Sequence, residues 1–547
     1  MRVSRRSFNA GLLAAGLTPA MLLRAAASPV PVPMRLLNRL TFGATPEAAS
    51  FLERVGIAEW LEAEIAKPAE DDGLKSRLAG ARLHIEYEAG KDEHKHSWKG
   101  VKEDRPYRYL SAKGDVLVRL TQWETVGMDW EERIRPGREV QSAAWIRAVH
   151  ADAQLREVMT QFWHEHFSVN AMRDEVTAAY FPPFDAMLRR HALGNFREML
   201  GEVARAPAML SYLNNAESRA SPANENYARE LFELHTLGAG SYLNDRYTTW
   251  RDVPGALEGN PQGYIDQDVY EAARAFTGWS IGSGQWIADG ENAPLTGAFH
   301  YIDGWHDPYQ KRVLGVEFPP NAAPMADGER VLDLAAFHPG TARFIAEKLV
   351  RRLLADEPPK GLVAAAAETF TAKRDAPDQI AHVLRTIVLS GEFAELPPKK
   401  MKRPFEFLVS FYRATGAEMR GGTIELHYVL MEAGWLQHEW RAPTGHPDVM
   451  SHWANTYALG RIAQLALTAF DQPFGAAWQG VFEDARDAAA LSAAAAARLL
   501  GRPLGAGQAE AIAGAIGGGL PEDAEGRAYA ARTVAGLVAL TPEFLLR

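Results

Sequence analysis

The sequence predicts a mainly α fold: a large multi-helix globular chain with one irregular insertion, able to hold a short β-hairpin, around residues 280–317. Three observations carry this. Apolar residues recur at three- and four-residue spacing over most of the chain. The stretch Ser280 to Glu317 breaks that period and is rich in Gly, aromatics and Asp. An alanine-rich run from Ala488 to Leu500, interrupted by Leu491, Leu499 and Leu500, has the propensity of a closely packed helix.

The chain opens on Ser4-Arg5-Arg6-Ser7-Phe8, an uncharged stretch from Asn9 to Leu23, then Arg24 and Ala25-Ala26-Ala27. This order is that of a cleavable signal, and the paired arginines before a mildly apolar stretch suit the twin-arginine route, which exports folded cargo. An ordinary secretory signal or an uncleaved anchor is the competing reading. The expected division is a signal over 1–27 and one large helical domain over 28–547, with a subdivision near 320–330 also admissible. Localisation is expected to be periplasmic or extracellular. No later run is long and apolar enough to span a bilayer, so no membrane span is expected after cleavage.

From Met34 to Ala66 the apolar spacing is helical, and Thr45-Pro46-Glu47 reads as an N-cap, a first-turn Pro and a first-turn acid. The pattern weakens from Asp71 to Tyr109, where His94-Lys95-His96 reads as a solvated loop or exposed helix end. Helical patterns resume over Val116–Trp130 and Val140–Phe167. Pro182-Pro183 is expected to start a further helix that Gly194-Asn195 ends. Helices are also expected over Asp327–Leu354, Gly361–Leu396 and Arg403–Trp435.

Formal charge is 59 basic against 69 acidic residues. Without Arg2, Arg5, Arg6 and Arg24 of the signal the balance is 55 to 69, a net −14 that disfavours nucleic acid and anionic lipid as partners. The absence of Cys excludes disulfides, thiolate zinc sites, iron–sulfur clusters and c-type haem. Any metal must use His, carboxylate or backbone oxygen.

Four polar clusters could carry chemistry. Asn224 to Gly238 reads as a helix capped by Asn224 and closed by Gly238, with Glu225 and Arg229 paired and Asn226, Glu230 and Glu233 on another face. A solvated, salt-bridged helix explains it equally well. An inward Glu230 and Asn226 would instead need a cation, a metal or an Arg. In Phe162-Trp163-His164-Glu165-His166-Phe167 the two histidines point about 160° apart on a helix, so at most one is a site residue. His300, Asp303, Trp305, His306, Asp307 and Lys311 form the third cluster, on a loop. Arg441 to Asp448 is the fourth, and a turn alone accounts for it. Gly-rich phosphate loops, nucleophile elbows and dinucleotide fingerprints are missing.

These motifs together, with Ala275-Phe276-Thr277-Gly278-Trp279, Leu314-Gly315, His338-Pro339 before a helical run ending at Arg352, Lys402-Arg403-Pro404 and Pro542-Glu543-Phe544, resemble the bacterial family catalogued as domain of unknown function 1800. The resemblance implies a large exported helical protein, often encoded beside an alkaline-phosphatase-like partner, and no established activity. His235 and the turn around His446 depart from the family pattern.

The expectation is therefore an extracytoplasmic enzyme or ligand-binding protein. Its catalytic candidates are Glu225, Glu230, His164, His166, His306 and Asp307. Its cofactor-binding candidates are Asn226, Arg229, Trp279 and Lys311, with Arg229 orienting a carboxylate. The sequence identifies no cofactor; a divalent metal held by His and carboxylate is one that these residues admit. The alternative is a non-catalytic structural or assembly partner of another exported protein, with the same motifs as buried networks.

Overall fold

The computed structural model describes residues 30–92, 95–122, 127–288, 290–517 and 519–547. The expected signal and His94 lie outside the described residues. The chain is mainly α, and among the described residues every sheet is a two-stranded antiparallel pair.

Helices α1 (Val32–Leu40) and α2 (Pro46–Ala66) meet at the cap read from the sequence: the Ala48 amide donates to Thr45 Oγ1 at 3.3 Å. After α3 (Asp72–Gly80) the region expected to be loop or exposed helix is a hairpin of β1 (Arg82–Tyr87) and β2 (Val101–Pro106). β1 alternates polar and apolar residues, a strand signal that sequence reasoning missed among the surrounding charges, and turns Leu83, Ile85 and Tyr87 inward, while β2 is mostly charged and shows no such pattern.

The central layer is α4 (Trp130–His150), α5 (Gln154–Phe167) and α6 (Glu175–His191), with α4 packed along α6. Two sequence expectations fail here. Residues Val116 to Gln122 form only short helical turns, and α4 begins at Trp130, where Asp129 caps the Glu131 amide at 2.9 Å. Pro182 and Pro183 lie inside α6. Two lost amide donors are tolerated there because Ala178, Ala179, Phe181 and Phe184 are buried on neighbouring helices, which hold the helix by packing. Asn195 caps α7 (Phe196–Arg205) through the Glu198 amide.

The segment after Asn224 begins as α8 (Asn226–Glu230), whose first amide bonds Asn224 Oδ1 at 3.0 Å, and then widens into a π turn over Leu231–His235. Helix α9 (Asp266–Ala275) follows a stretch of 3-10 turns. The irregular insertion contains three antiparallel pairs among the described residues: β3 (Trp279–Ser283) with β4 (Leu295–Tyr301), the short strands Trp286–Ala288 and Glu291–Asn292 between them, and β5 (Lys311–Val313) with β6 (Val316–Phe318).

The remaining helices are α10 (Ala326–Ala336), α11 (Pro339–Leu353), α12 (Lys360–Ala372), α13 (Gln379–Val388), α14 (Pro404–Thr415), α15 (Ile424–Glu432), α16 (Thr456–Thr468), α17 (Ala488–Leu500), α18 (Ala506–Ala515) and α19 (Ala524–Ala539). The alanine run is α17, capped by Asp487 and packed through Ala495 and Ala496 on α19. Buried apolar residues from Val30 to Leu546 form one contiguous core. Among the described residues no helix is long and apolar enough to cross a membrane.

Candidate functional site

His164 and His166 leave α5 in different directions and enter different networks. His164 Nε2 lies 2.9 Å from Asp185 Oδ1 on α6. Arg189 Nε donates to Asp185 Oδ2 at 3.0 Å, and Arg147 NH1 approaches the same oxygen at 3.4 Å. The guanidinium of Arg189 also grips both oxygens of Glu157 at 2.6 Å, and Arg147 reaches Glu70 at 3.0 Å. Burial alone would push the Asp185 carboxyl up; Arg189, His164 and Arg147 together hold it well below the usual carboxylate range. The His438 ring sits 4.4 Å from that of His164. A polar cavity of about 10 Å³ between Glu157, Gln161, His164, Arg189 and His438 has room for one water and no larger ligand.

His166 faces the other way, toward a cleft. The Lys348 amine donates to His166 Nδ1 at 2.9 Å, and His166 Nε2 lies 3.0 Å from the His235 carbonyl. Those two bonds require the neutral tautomer with its proton on Nε2, and burial beside Lys348 pushes the imidazole well below its usual value. His235 ends the π turn, fully buried, with neither ring nitrogen hydrogen-bonded among the described residues; burial pulls it down to about 3. Thr236 Oγ1 closes the wide turn on the Leu231 carbonyl at 2.5 Å. Gly238 then takes φ +90°, and a Cβ there would stand 2.7 Å from the Phe344 ring.

The cleft encloses about 730 Å³ between the loop after this turn, residues 260–262 and the first turns of α11. His338 anchors its rim: Nδ1 accepts the Gly340 amide at 2.9 Å, and Nε2 donates to the Pro261 carbonyl at 2.7 Å. Arg343, Lys348 and Arg351 line it against a single carboxylate, Glu347, which Arg351 already binds at 2.7 Å. Arg343 is exposed and makes no ion pair among the described residues. In a chain of net charge −10 this is a local positive excess. Burial lowers the Lys348 amine to about 8.

The other sequence candidates fall elsewhere. Arg229 binds Glu225 at 3.1 Å and Asp266 at 3.2 Å, and the Tyr242 hydroxyl donates to Asp266 at 2.8 Å. Asn226 is exposed, contrary to the inward placement considered from the sequence. Glu230 is half-buried and unpaired among the described residues; burial and the neighbouring Glu233 push its carboxyl up to about 6. His306 bonds Thr277 and stands 3.4 Å from Asp327. Asp307 takes a two-point contact from Arg274 at 2.7 and 3.1 Å, and Lys311 bonds Asp327 at 2.7 Å. Trp279 is wholly buried with the Arg205 guanidinium over its ring. The Glu225 and Asp307 networks hang on opposite ends of α9, through Asp266 and Arg274. Eight residues of helix separate these by about 12 Å.

The expected single constellation of Glu225 or Glu230, one of His164 and His166, and His306 or Asp307 is therefore not assembled. The physical reason is that all of these groups but Glu230 already have partners of their own: an arginine or lysine for Glu225, His166 and Asp307, and Asp185 or Asp327 for His164 and His306. Among the described residues no three His, Asp or Glu side chains converge as metal ligands would. The Lys402-Arg403-Pro404 motif is likewise a buried network: Arg403 binds Glu165 and Glu406, Arg352 binds Glu406, and the Lys402 amine, lowered to about 7 by burial, donates to Ser410 at 2.8 Å. His446 stacks on Trp435 with ring centres 4.0 Å apart.

Residues 35–546 match the family described as "Protein of unknown function (DUF1800)". The chain belongs to this family. No curated protein and no solved structure matches it. The match covers every motif quoted above except the signal, so the DUF1800 pattern spans both the buried networks and the cleft.

Sequence reasoning missed Asp185, Asp327, Arg274 and Lys348. Asp185 and Arg189 stand four apart on one helix, a visible pairing signal. Lys348 sits among Ile345, Ala346, Leu349 and Val350 on the apolar side of α11, a place where a lysine must tuck its amine against a partner.

Proposed function

We propose that this DUF1800 protein is exported by the twin-arginine route and binds a small anionic ligand in the Lys348 cleft, as a receptor or an enzyme. The observation that carries the cleft reading is the Lys348 amine, bonded to His166 in a cleft whose other cations, Arg343 and Arg351, outnumber its one carboxylate. An amine near 8 exchanges its proton close to neutral pH, so Lys348 can serve as general acid or base toward a bound group. His166 and His235 act as positioning residues, since the buried neutral imidazole fixes where the amine points.

The test is calorimetric titration of the mature chain with inorganic phosphate and with malonate. Binding of either, weakened at least tenfold by Lys348→Met and by Arg343→Gln, supports the reading; unchanged affinity in both variants refutes it. Export rests on the Ser4-Arg5-Arg6-Ser7-Phe8 pattern. Replacing Arg5 and Arg6 by Lys should retain the protein in the cytoplasm, and undiminished export would refute that part.

A second reading, an assembly partner of another exported protein such as the alkaline-phosphatase-like one the family resemblance implies, is favoured by the burial of most motif residues in ion networks. Under it Lys348→Met leaves every anion titration flat and alters only co-purification.

A further inference from the structure

A second cleft lies between β1 and the helices α4 and α15, enclosing about 580 Å³. Five consecutive residues of β1, from Arg82 to Glu86, line it. Strand side chains alternate between two faces, so a run of five lining residues means that the edge of the strand, and not one face, turns to the cleft. β1 pairs with β2 alone. In an antiparallel ladder every second residue directs its N–H and C=O to the partner, and the others point outward. Among the described residues no main-chain bond joins residues 82–87 to anything outside the hairpin. Such an edge is a template for a further strand.

The opposite wall is apolar. Ile424 and Tyr428, one helical turn apart on α15, are 37 % and 53 % exposed, with Leu430 and Trp145 beneath them. Glu131 on α4 is partly buried, and its side chain makes no hydrogen bond or ion pair among the described residues; Arg138, farther along the same helix, acts on its charge only through space. Burial raises its carboxyl, and a cation supplied from outside would favour the charged form. An open backbone edge, exposed apolar side chains and a partly buried acid without an ion-pair partner together specify an occupant with backbone donors and acceptors, apolar side chains and a positive charge.

We propose that this cleft takes an extended polypeptide segment of another protein, added to β1 as a third strand, with a Lys or Arg of that segment facing Glu131. Five residues in β conformation span about 17 Å, the length of the lining stretch of β1. The apolar side chains that alternate along the segment lie on Ile424 and Tyr428. This site is separate from the Lys348 cleft and does not depend on it.

Fluorescein-labelled decapeptides of alternating Val and Thr, with either Lys or Glu at the centre, test the proposal by anisotropy titration into the full chain, with amide exchange read at residues 82–87. The Lys peptide should bind at least tenfold tighter than the Glu peptide and slow exchange across 82–87. N-methylation of alternate peptide amides should abolish binding, a control that leaves the protein untouched. Glu131→Gln should reduce the Lys-over-Glu preference to less than threefold. Binding that survives N-methylation, binding without protection of 82–87, or no binding of either peptide overturns the proposal.

Discussion

Asp185 is the residue whose removal should cost the fold most among the sequence-derived motifs' partners. Asp185→Asn keeps the volume but takes one negative charge from a buried site where Arg189, Arg147 and His164 converge at 2.9 to 3.4 Å. Breaking a buried ion pair costs about 3–5 kcal/mol, because the surviving charge stays buried without compensation. Here Arg189 retains Glu157 and Arg147 retains Glu70, so the loss should fall at the lower end, about 3 kcal/mol. Guanidinium unfolding followed by tryptophan fluorescence reads it as a lowered midpoint with unchanged slope.

The pH dependence supplies a sharper check. The folded carboxyl of Asp185 titrates below the value of about 3.9 for an unfolded aspartate. Its stabilisation is therefore fully present above that value and is lost as pH falls through the depressed folded value. The gap between wild type and Asp185→Asn should be constant from pH 5 to 8 and close at lower pH. A loss under about 1 kcal/mol at pH 7 would mean that Glu157 and Glu70 suffice, and that Asp185 is not the keystone of the network.

Three further outcomes are expected. Gly238→Ala should destabilise by about 1–3 kcal/mol in the same assay, since φ +90° strains any Cβ and the new methyl meets Phe344; a neutral result would refute the tight approach. Glu230→Gln should raise stability at pH 7.5, because the folded carboxyl, held near 6, ionises at a cost the unfolded chain does not bear, and the advantage should shrink as pH falls through that value and vanish below the unfolded value of about 4.3. His338→Ala should cost about 1–3 kcal/mol by leaving the buried Pro261 carbonyl and the Gly340 amide unpaired, and should weaken anion binding in the cleft whose rim it holds.

The sequence by itself determined the mainly α class, the cap at Thr45, the packed alanine helix, the irregular insertion and the family. Each is a local matter: helical period, capping side chains and turn residues act within a few positions, and the DUF1800 motifs are read in order along the chain. It also showed that His164 and His166 could not serve one ion, because two residues apart on a helix is nearly opposite.

Only the tertiary structure decided what those histidines meet. Asp185 lies 21 residues from His164, and Lys348 lies 182 residues from His166. No local pattern encodes such pairings, because the groups come together only when separate helices pack. The same holds for Asp307 and Lys311, which met Arg274 and Asp327 on other elements, while Glu225 kept the Arg229 pairing its spacing predicted; separate networks formed where one site was expected. The β1–β2 hairpin was legible in half: Arg82 to Tyr87 alternates polar and apolar residues as a half-buried strand does, but its partner Val101–Pro106 is mostly charged, and only the fold pairs the two.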